Sequence, residues 1–262
     1  MGCKIEINTL EYILYCNHLI METTVNPECT SKTTCASNAP IIISIDGNIG
    51  SGKSVTLEKF KEFCMEKGLT DYCFVQEPVN EWLNVLDKDG VHILENLYKN
   101  TAKFAFRFQM MAYISRLALL KKAIKNPNNR VIITERSIST DRMVFAKMLY
   151  DAGDIEEDEY TIYNMWFHEF VEDMPISGIV YVRASPDVCI HRIGIRSRQG
   201  ETIQSEYIER CHKYHDDWLE KETCEKLRLD ADDDAGNDPH LFANRMKEIH
   251  QFIEHIALSK SS

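Results

Sequence analysis

Apolar residues along this chain follow two rhythms. Short runs with little polar interruption occur at residues 41–45, 72–75, 130–134, 178–182 and 227–229, and such runs predict buried strands of a parallel sheet. Between them, apolar positions recur every three or four residues over 55–67, 103–125, 140–150, 157–173, 205–222 and 239–255, the spacing of one helix face. Ser185 followed by Pro186 marks a further helix start, and Asn126-Pro127-Asn128-Asn129 a turn after the longest helix. Strand and helix alternate throughout without an internal repeat, which predicts an α/β fold with a doubly wound, five-stranded parallel sheet flanked by helices.

Residues 23–40 break both rhythms. They are rich in Thr, Ser, Asn, Pro and Cys, a composition that buries too little apolar surface to offset chain ordering. The expected organisation is therefore a flexible tail over 1–39 and one domain over 40–262. A chain of 262 residues, 44% hydrophobic, has material for one full core.

Charge and cysteine usage narrow the partners. The net charge of −11 repels nucleic-acid backbones and anionic membranes, so neither is an expected partner. No apolar run approaches the roughly 18 residues that a membrane span needs. Nine cysteines without a CxxC pair read as reduced thiols of a cytosol-like compartment. The opening MGCKIE carries Glu6 where myristoylation wants Ser or Thr. Glu6 and Glu11 also argue against an organellar transit peptide, so the expected location is cytoplasmic.

The chemistry begins with Gly47-Asn48-Ile49-Gly50-Ser51-Gly52-Lys53-Ser54. This GxxxxGK[ST] pattern lies directly after an apolar strand and before an amphipathic helix, as a phosphate-binding P-loop requires. Its glycines let backbone N–H groups turn toward phosphate oxygens, Lys53 supplies charge for the β- and γ-phosphates, and Ser54 is the expected Mg²⁺ ligand. A P-loop does not identify the acceptor. No NKxD guanine-reading motif follows, which argues against a GTPase. Two further strand ends, at Glu77 and at Glu135-Arg136, should open onto the same crevice.

Gln109, Ala112 and Arg116 share one face of the long helix. Left to spacing alone, the polar pair could either line a pocket or snorkel at a helix edge. Arg192, Arg196 and Arg198 concentrate positive charge in an acidic chain, either as a solvated helix face or as an anion-binding lid.

Together these segments resemble the deoxynucleoside kinase family over about residues 41–255: the P-loop, Glu77-Pro78-Val79 with Trp82, Phe108-Gln109 with Arg116, Glu135-Arg136-Ser137 with Asp141-Arg142, and the arginine-rich stretch. The resemblance implies transfer of the ATP γ-phosphoryl group to the 5′-hydroxyl of a deoxynucleoside in nucleotide salvage. It makes Glu77 the base, Arg136 the residue that holds Glu77 and the sugar end, and Glu135 a second Mg²⁺ ligand. Gln109 would read the base edge, and Arg116 paired with Asp141 would favour deoxycytidine and purine deoxynucleosides over thymidine. Tyr98 and Glu201 would bind the sugar 3′-hydroxyl, with Trp82, Phe108, Ala112 and Phe145 as walls. Arg192 and Arg196 would form a lid over the phosphates.

Two places depart from that pattern or stay open. Residues 199–205 are a residue shorter than the family's version and lack its Ile-Pro, which bears on Glu201. The acidic run from Asp232 falls where relatives hold adenine, and is equally readable as a solvated turn. The resemblance also implies a homodimer formed by helices; Tyr163, Trp166, Phe167 and Phe170 are readable either as its contact residues or as buried core. Two other readings remain: a nucleoside monophosphate kinase, and a non-catalytic structural member of the family.

Overall fold

The computed structural model describes residues 39–171, 174–198, 201–233 and 238–261. The expected flexible tail therefore lies almost wholly outside the described residues. Among them, β1 (Ile41–Asp46), β2 (Tyr72–Val75), β3 (Val131–Glu135), β4 (Gly178–Arg183) and β5 (Glu225–Asp230) form one sheet in the order β2-β3-β1-β4-β5. Every neighbouring pair is parallel. Ile43 of β1 pairs with Ile133 of β3 and Gly178 of β4, so the P-loop leaves the central strand, where crossovers diverge to the two sides and a crevice opens.

The central strands are buried for a visible reason. Ile41, Ile43 and Ile45 pack with Leu57 and Phe60 of α1 (Lys53–Glu66). Ile42 points to the other face, toward Tyr113 and Leu117 of α4 (Thr101–Ile124). Each such side chain removed from water contributes about 1.5–3 kcal/mol, and the two-residue alternation lets one strand fasten helices on both faces. The expectation of five buried strands needs correction, because β5 is an edge strand with only Leu229 fully buried.

Two helices precede α4: α2 (Val79–Leu83) and α3 (Ile93–Lys99). Neither was expected, since five and seven residues are too short for a helical period to stand out. The expected helix over 140–150 is instead three pieces: α5 (Ile138–Thr140), a π-helical turn (Asp141–Ala146) and α6 (Lys147–Asp151). The remaining helices are α7 (Glu157–Val171), α8 (Pro186–Arg196), α9 (Ser205–Lys221) and α10 (Pro239–Ser261).

The aromatics of α7 divide. Tyr163 and Phe167 are buried within the chain, which removes them from the expected contact set, whereas Trp166 is 46% exposed. Its ring stacks on Phe170 at 5.3 Å. Among the described residues no helix is long and apolar enough to cross a membrane, and Cys64, Cys73, Cys189, Cys211 and Cys224 are free.

Candidate active site

The P-loop is shaped by close backbone approach. Gly50 has φ 81°, and a Cβ there would lie 2.5 Å from the Cys189 carbonyl oxygen, while a Cβ on Gly47 would run into the Val182 carbonyl. Only glycine satisfies both demands. Asn48 fastens the loop to α9 by donating to the Ile208 carbonyl at 2.9 Å. Lys53, at the start of α1, donates to the Asn48 carbonyl at 2.7 Å. Burial and the neighbouring Arg136 charge bring its ammonium down to about 7, so this cation sits where an anionic ligand would relieve it.

Ser54 Oγ donates to Glu135 Oε1 at 2.5 Å. A hydroxyl and a carboxylate side by side at the mouth of a phosphate loop match the hard oxygen ligands that Mg²⁺ takes. The donor chemistry therefore fits the ion.

A cavity of about 550 Å³ opens beside the loop. It gathers Ile49, Gly50, Gly52, Lys53, Ser54, Glu77, Trp82, Tyr98, Phe108, Gln109, Ala112, Arg116, Glu135, Arg136, Asp141, Phe145, Arg192, Arg196 and Glu201 on one lining. Residues from seven separate segments thus meet where the sheet crevice was expected.

Buried charge organises one end of this cavity. Arg116 donates to Asp141 at 2.8 Å through Nε, to Glu77 at 2.9 Å through Nη2 and to the Glu135 carbonyl at 2.7 Å through Nη1. Arg136 donates to Glu77 at 3.2 Å and to the Gly47 carbonyl at 3.4 Å. Burial alone would push Glu77 up, but Arg136, Arg116 and Lys53 outweigh it and hold the carboxyl at about 2. Burial raises the Asp141 carboxyl against the pull of Arg116. The Arg116–Glu77 pair was not expected: it makes one guanidinium bridge the Glu77 and Asp141 carboxylates.

The π-helical turn explains how Asp141 and Phe145 both reach this lining. Its wider winding inserts a residue into the helix at the site, a device frequent at functional positions. The Ser137 side chain caps the segment by accepting from Thr140 N at 2.9 Å. Trp82 Nε1 donates to Ser115 Oγ at 2.9 Å, and its ring meets Phe108 edge-on at 5.4 Å, fixing the apolar wall.

The other end is more open. Arg196 lies against Glu201 with both carboxylate oxygens at 2.7 Å, and Arg198 stands 3.9 Å from the same group. Arg192 donates to the Ser51 carbonyl at 3.3 Å and the Asp233 carbonyl at 3.1 Å. Burial and then Glu201 raise the Tyr98 hydroxyl above its ordinary range, consistent with a phenol facing a carboxylate.

Asp232 lines neither this cavity nor the smaller one of about 170 Å³ beside the P-loop. Its carboxylate instead accepts from the Ser185 backbone N–H at 2.5 Å, where α8 begins. Asp233 pairs with Arg245 at 2.6 Å, and the third acid of the run, Asp234, lies outside the described residues, as do residues 199 and 200 of the shortened segment.

Sequence reasoning missed Asp46. Fully buried at the end of β1, it accepts from Ser44 at 2.5 Å, from the Ser137 backbone at 3.4 Å and from Thr140, tying the P-loop strand to the Arg136 segment. An acid ending an otherwise apolar strand was the available signal. Tyr207, which also lines the cavity, carried no such mark.

Comparison with known proteins agrees with this geometry. The family model for deoxynucleoside kinase matches residues 43–254. The chain is similar to human deoxycytidine kinase, 32% identical over 79% of this chain and 90% of the relative. It is also similar to a probable deoxycytidine kinase of fowlpox virus, 33% identical over 82% and 88%. A mitochondrial deoxyguanosine kinase of Xenopus laevis is 29% identical over 78% and 83%.

Proposed function

The chain belongs to the deoxynucleoside kinase family, and on that premise we propose that it phosphorylates a deoxynucleoside at the 5′-hydroxyl, with ATP as donor, in nucleotide salvage. The observation that carries the reading is one cavity holding both the P-loop Lys53 and the buried Glu77–Arg116–Asp141–Arg136 cluster.

The triphosphate lies along residues 47–54, with backbone N–H groups and Lys53 on its oxygens. Ser54 and Glu135 would hold Mg²⁺, which would neutralise charge on the transferring group. Glu77 remains ionised through the working pH range, so it accepts a hydrogen bond from the 5′-hydroxyl. The hydroxyl becomes acidic only as its oxygen bonds to phosphorus, and its proton then passes to the carboxylate, which suits a group held at about 2. Arg136 orients Glu77. Arg192 and Arg196 exchange their present carbonyl and carboxylate partners for phosphate oxygens, closing as a lid.

Gln109 reads the base edge, and Tyr98 with Glu201 holds the 3′-hydroxyl. The Arg116–Asp141 pair occupies the depth of the pocket with polar groups, which favours a base bearing an exocyclic amine and disfavours the thymine methyl. The similar proteins, deoxycytidine and deoxyguanosine kinases, agree with deoxycytidine or a purine deoxynucleoside. Carboxylates at the acceptor end speak against an acceptor that already carries phosphate, as a monophosphate kinase would take. Lys53, Glu77 and Arg136 together speak against a non-catalytic role.

The exposed Ile162, Met165 and Trp166 of α7 support a homodimer through that helix. Light scattering should give twice the chain mass, and Trp166→Glu the monomer. The free thiols suit a cytosol-like compartment.

Incubating the purified protein with ATP, Mg²⁺ and a panel of nucleosides and nucleoside monophosphates should give monophosphate from deoxycytidine or a purine deoxynucleoside and little from thymidine. No monophosphate from any nucleoside would overturn the assignment.

A further inference from the structure

Phe145 touches two buried groups whose hydrogen-bonding needs are complementary. The Arg136 guanidinium lies over its ring, 4.9 Å from the centroid. The His215 imidazole, from α9, meets it edge-on with centroids 6.0 Å apart. His215 is fully buried, and its Nδ1 sits 2.6 Å from the Cys211 carbonyl oxygen. A carbonyl only accepts, so Nδ1 carries the ring proton and Nε2 presents a bare lone pair. Among the described residues that Nε2 has no partner.

Arg136 has the opposite deficit. Its two Nη groups are engaged by Glu77 and the Gly47 carbonyl, while its Nε–H is buried without an acceptor. Its backbone stands at φ 61°, a conformation that a non-glycine residue keeps only when its surroundings hold it. Buried polar groups are nearly always satisfied, often by an internal water that needs two or more polar partners. Here one of the two groups that touch Phe145 offers only a donor and the other only an acceptor. Burial, then the Arg136 charge, hold the imidazole down at about 3, so the acceptor form persists at working pH. On its other side the ring lies parallel to Tyr181, centroids 6.3 Å apart. The Tyr181 hydroxyl donates to Asp216 at 2.7 Å, and Arg183 donates to the same carboxylate at 2.7 Å, so the imidazole is backed by an anchored ring.

We propose that His215 is a positioning residue for Arg136, its Nε2 accepting the Arg136 Nε–H through one buried water and thereby fixing the guanidinium that orients Glu77. The proposal rests on the reading of Arg136 and Glu77 as the acceptor end of the site.

His215→Phe keeps an aromatic ring and removes the acceptor, whereas His215→Gln keeps an acceptor oxygen. In the Phe variant kcat for the deoxynucleoside should fall about ten- to a hundredfold, the scale of one charge-assisted hydrogen bond, with KM for ATP unchanged. The Gln variant should recover most of that loss. A folded Phe variant with undiminished kcat, or a Gln variant as impaired as Phe, would overturn the role. Independently of activity, ¹⁵N-histidine NMR of the unaltered protein at pH 7, assigned by the signal lost in His215→Gln, should show neutral His215 protonated on Nδ1, with Nε2 shifted as a hydrogen-bonded acceptor. A free Nε2 lone pair, or a proton on Nε2, would overturn it even if the Phe variant does not fold. Should the unaltered protein phosphorylate no deoxynucleoside, the functional reading falls while the NMR result still judges the contact.

Discussion

The two ends of the cavity handle charge in opposite ways. At the acceptor end, Arg116, Asp141 and Arg136 have side chains only 3–5% exposed and are joined in the series Asp141–Arg116–Glu77–Arg136. At the donor end, the Arg196 side chain is 36% exposed, and α8 buries only Cys189 among its residues. A buried guanidinium is held in place because losing either partner strands a charge away from water. A half-exposed one exchanges partners at little cost. On the proposed reading, the locked end is the one that discriminates and the exposed end the one that moves.

The strongest way to break this contrast is to remove the mobile charge. Arg192→Ala with Arg196→Ala should lower kcat by about 10³-fold, the lower edge for arginines that stabilise phosphoryl transfer. Unchanged turnover would make α8 a solvated face. Next, Glu77→Gln should lower kcat at least about a hundredfold with ATP affinity nearly unchanged in direct binding measurements.

Substitutions in the locked cluster sharpen the contrast through stability and specificity. Arg116→Met alone should destabilise the fold by about 3–5 kcal/mol in denaturant titration, because Asp141 is left buried and unpaired. Adding Asp141→Ala should restore much of that stability and raise the thymidine-to-deoxycytidine ratio of kcat/KM. An unchanged ratio would remove the pair from base selection.

The smallest effect concerns Lys53, the cation between the two ends. Its folded value of about 7 lies below that of an exposed lysine, so between about pH 7 and 10 the unfolded chain binds the proton that the folded chain has released. Its contribution to stability therefore rises with pH over that window. The advantage in Tm of Lys53→Met over the unaltered protein should shrink from pH 7 to pH 10. A triphosphate prefers the protonated form, so ATP affinity in calorimetric titration should fall above pH 7.

Much of the acceptor end was legible in the chain because its residues sit at strand ends or on one helix face, where local periodicity assigns direction. Gln109, Ala112 and Arg116 shared a face by spacing, and all three line the cavity. The bridge from Arg116 to Glu77 was not legible, since it joins α4 to the end of β2 across 39 positions. Nor was the π-helical turn, because a single inserted residue barely alters an apolar pattern over eleven positions. Glu201 reached the lining despite the shortened segment before it, while Asp232 capped α8 instead of lining a cavity. Short-range signals say little about irregular loops, whose course is set by what they pack against.

By itself the sequence determined the alternation of strand and helix, the P-loop and the residue types brought to it, because periodicity and glycine stereochemistry act over a few residues. Tertiary structure alone decided which charges pair, which helix breaks its winding and which arginines stay exposed. Those outcomes depend on desolvation, and a side chain's distance from water is known only once distant segments have closed around it.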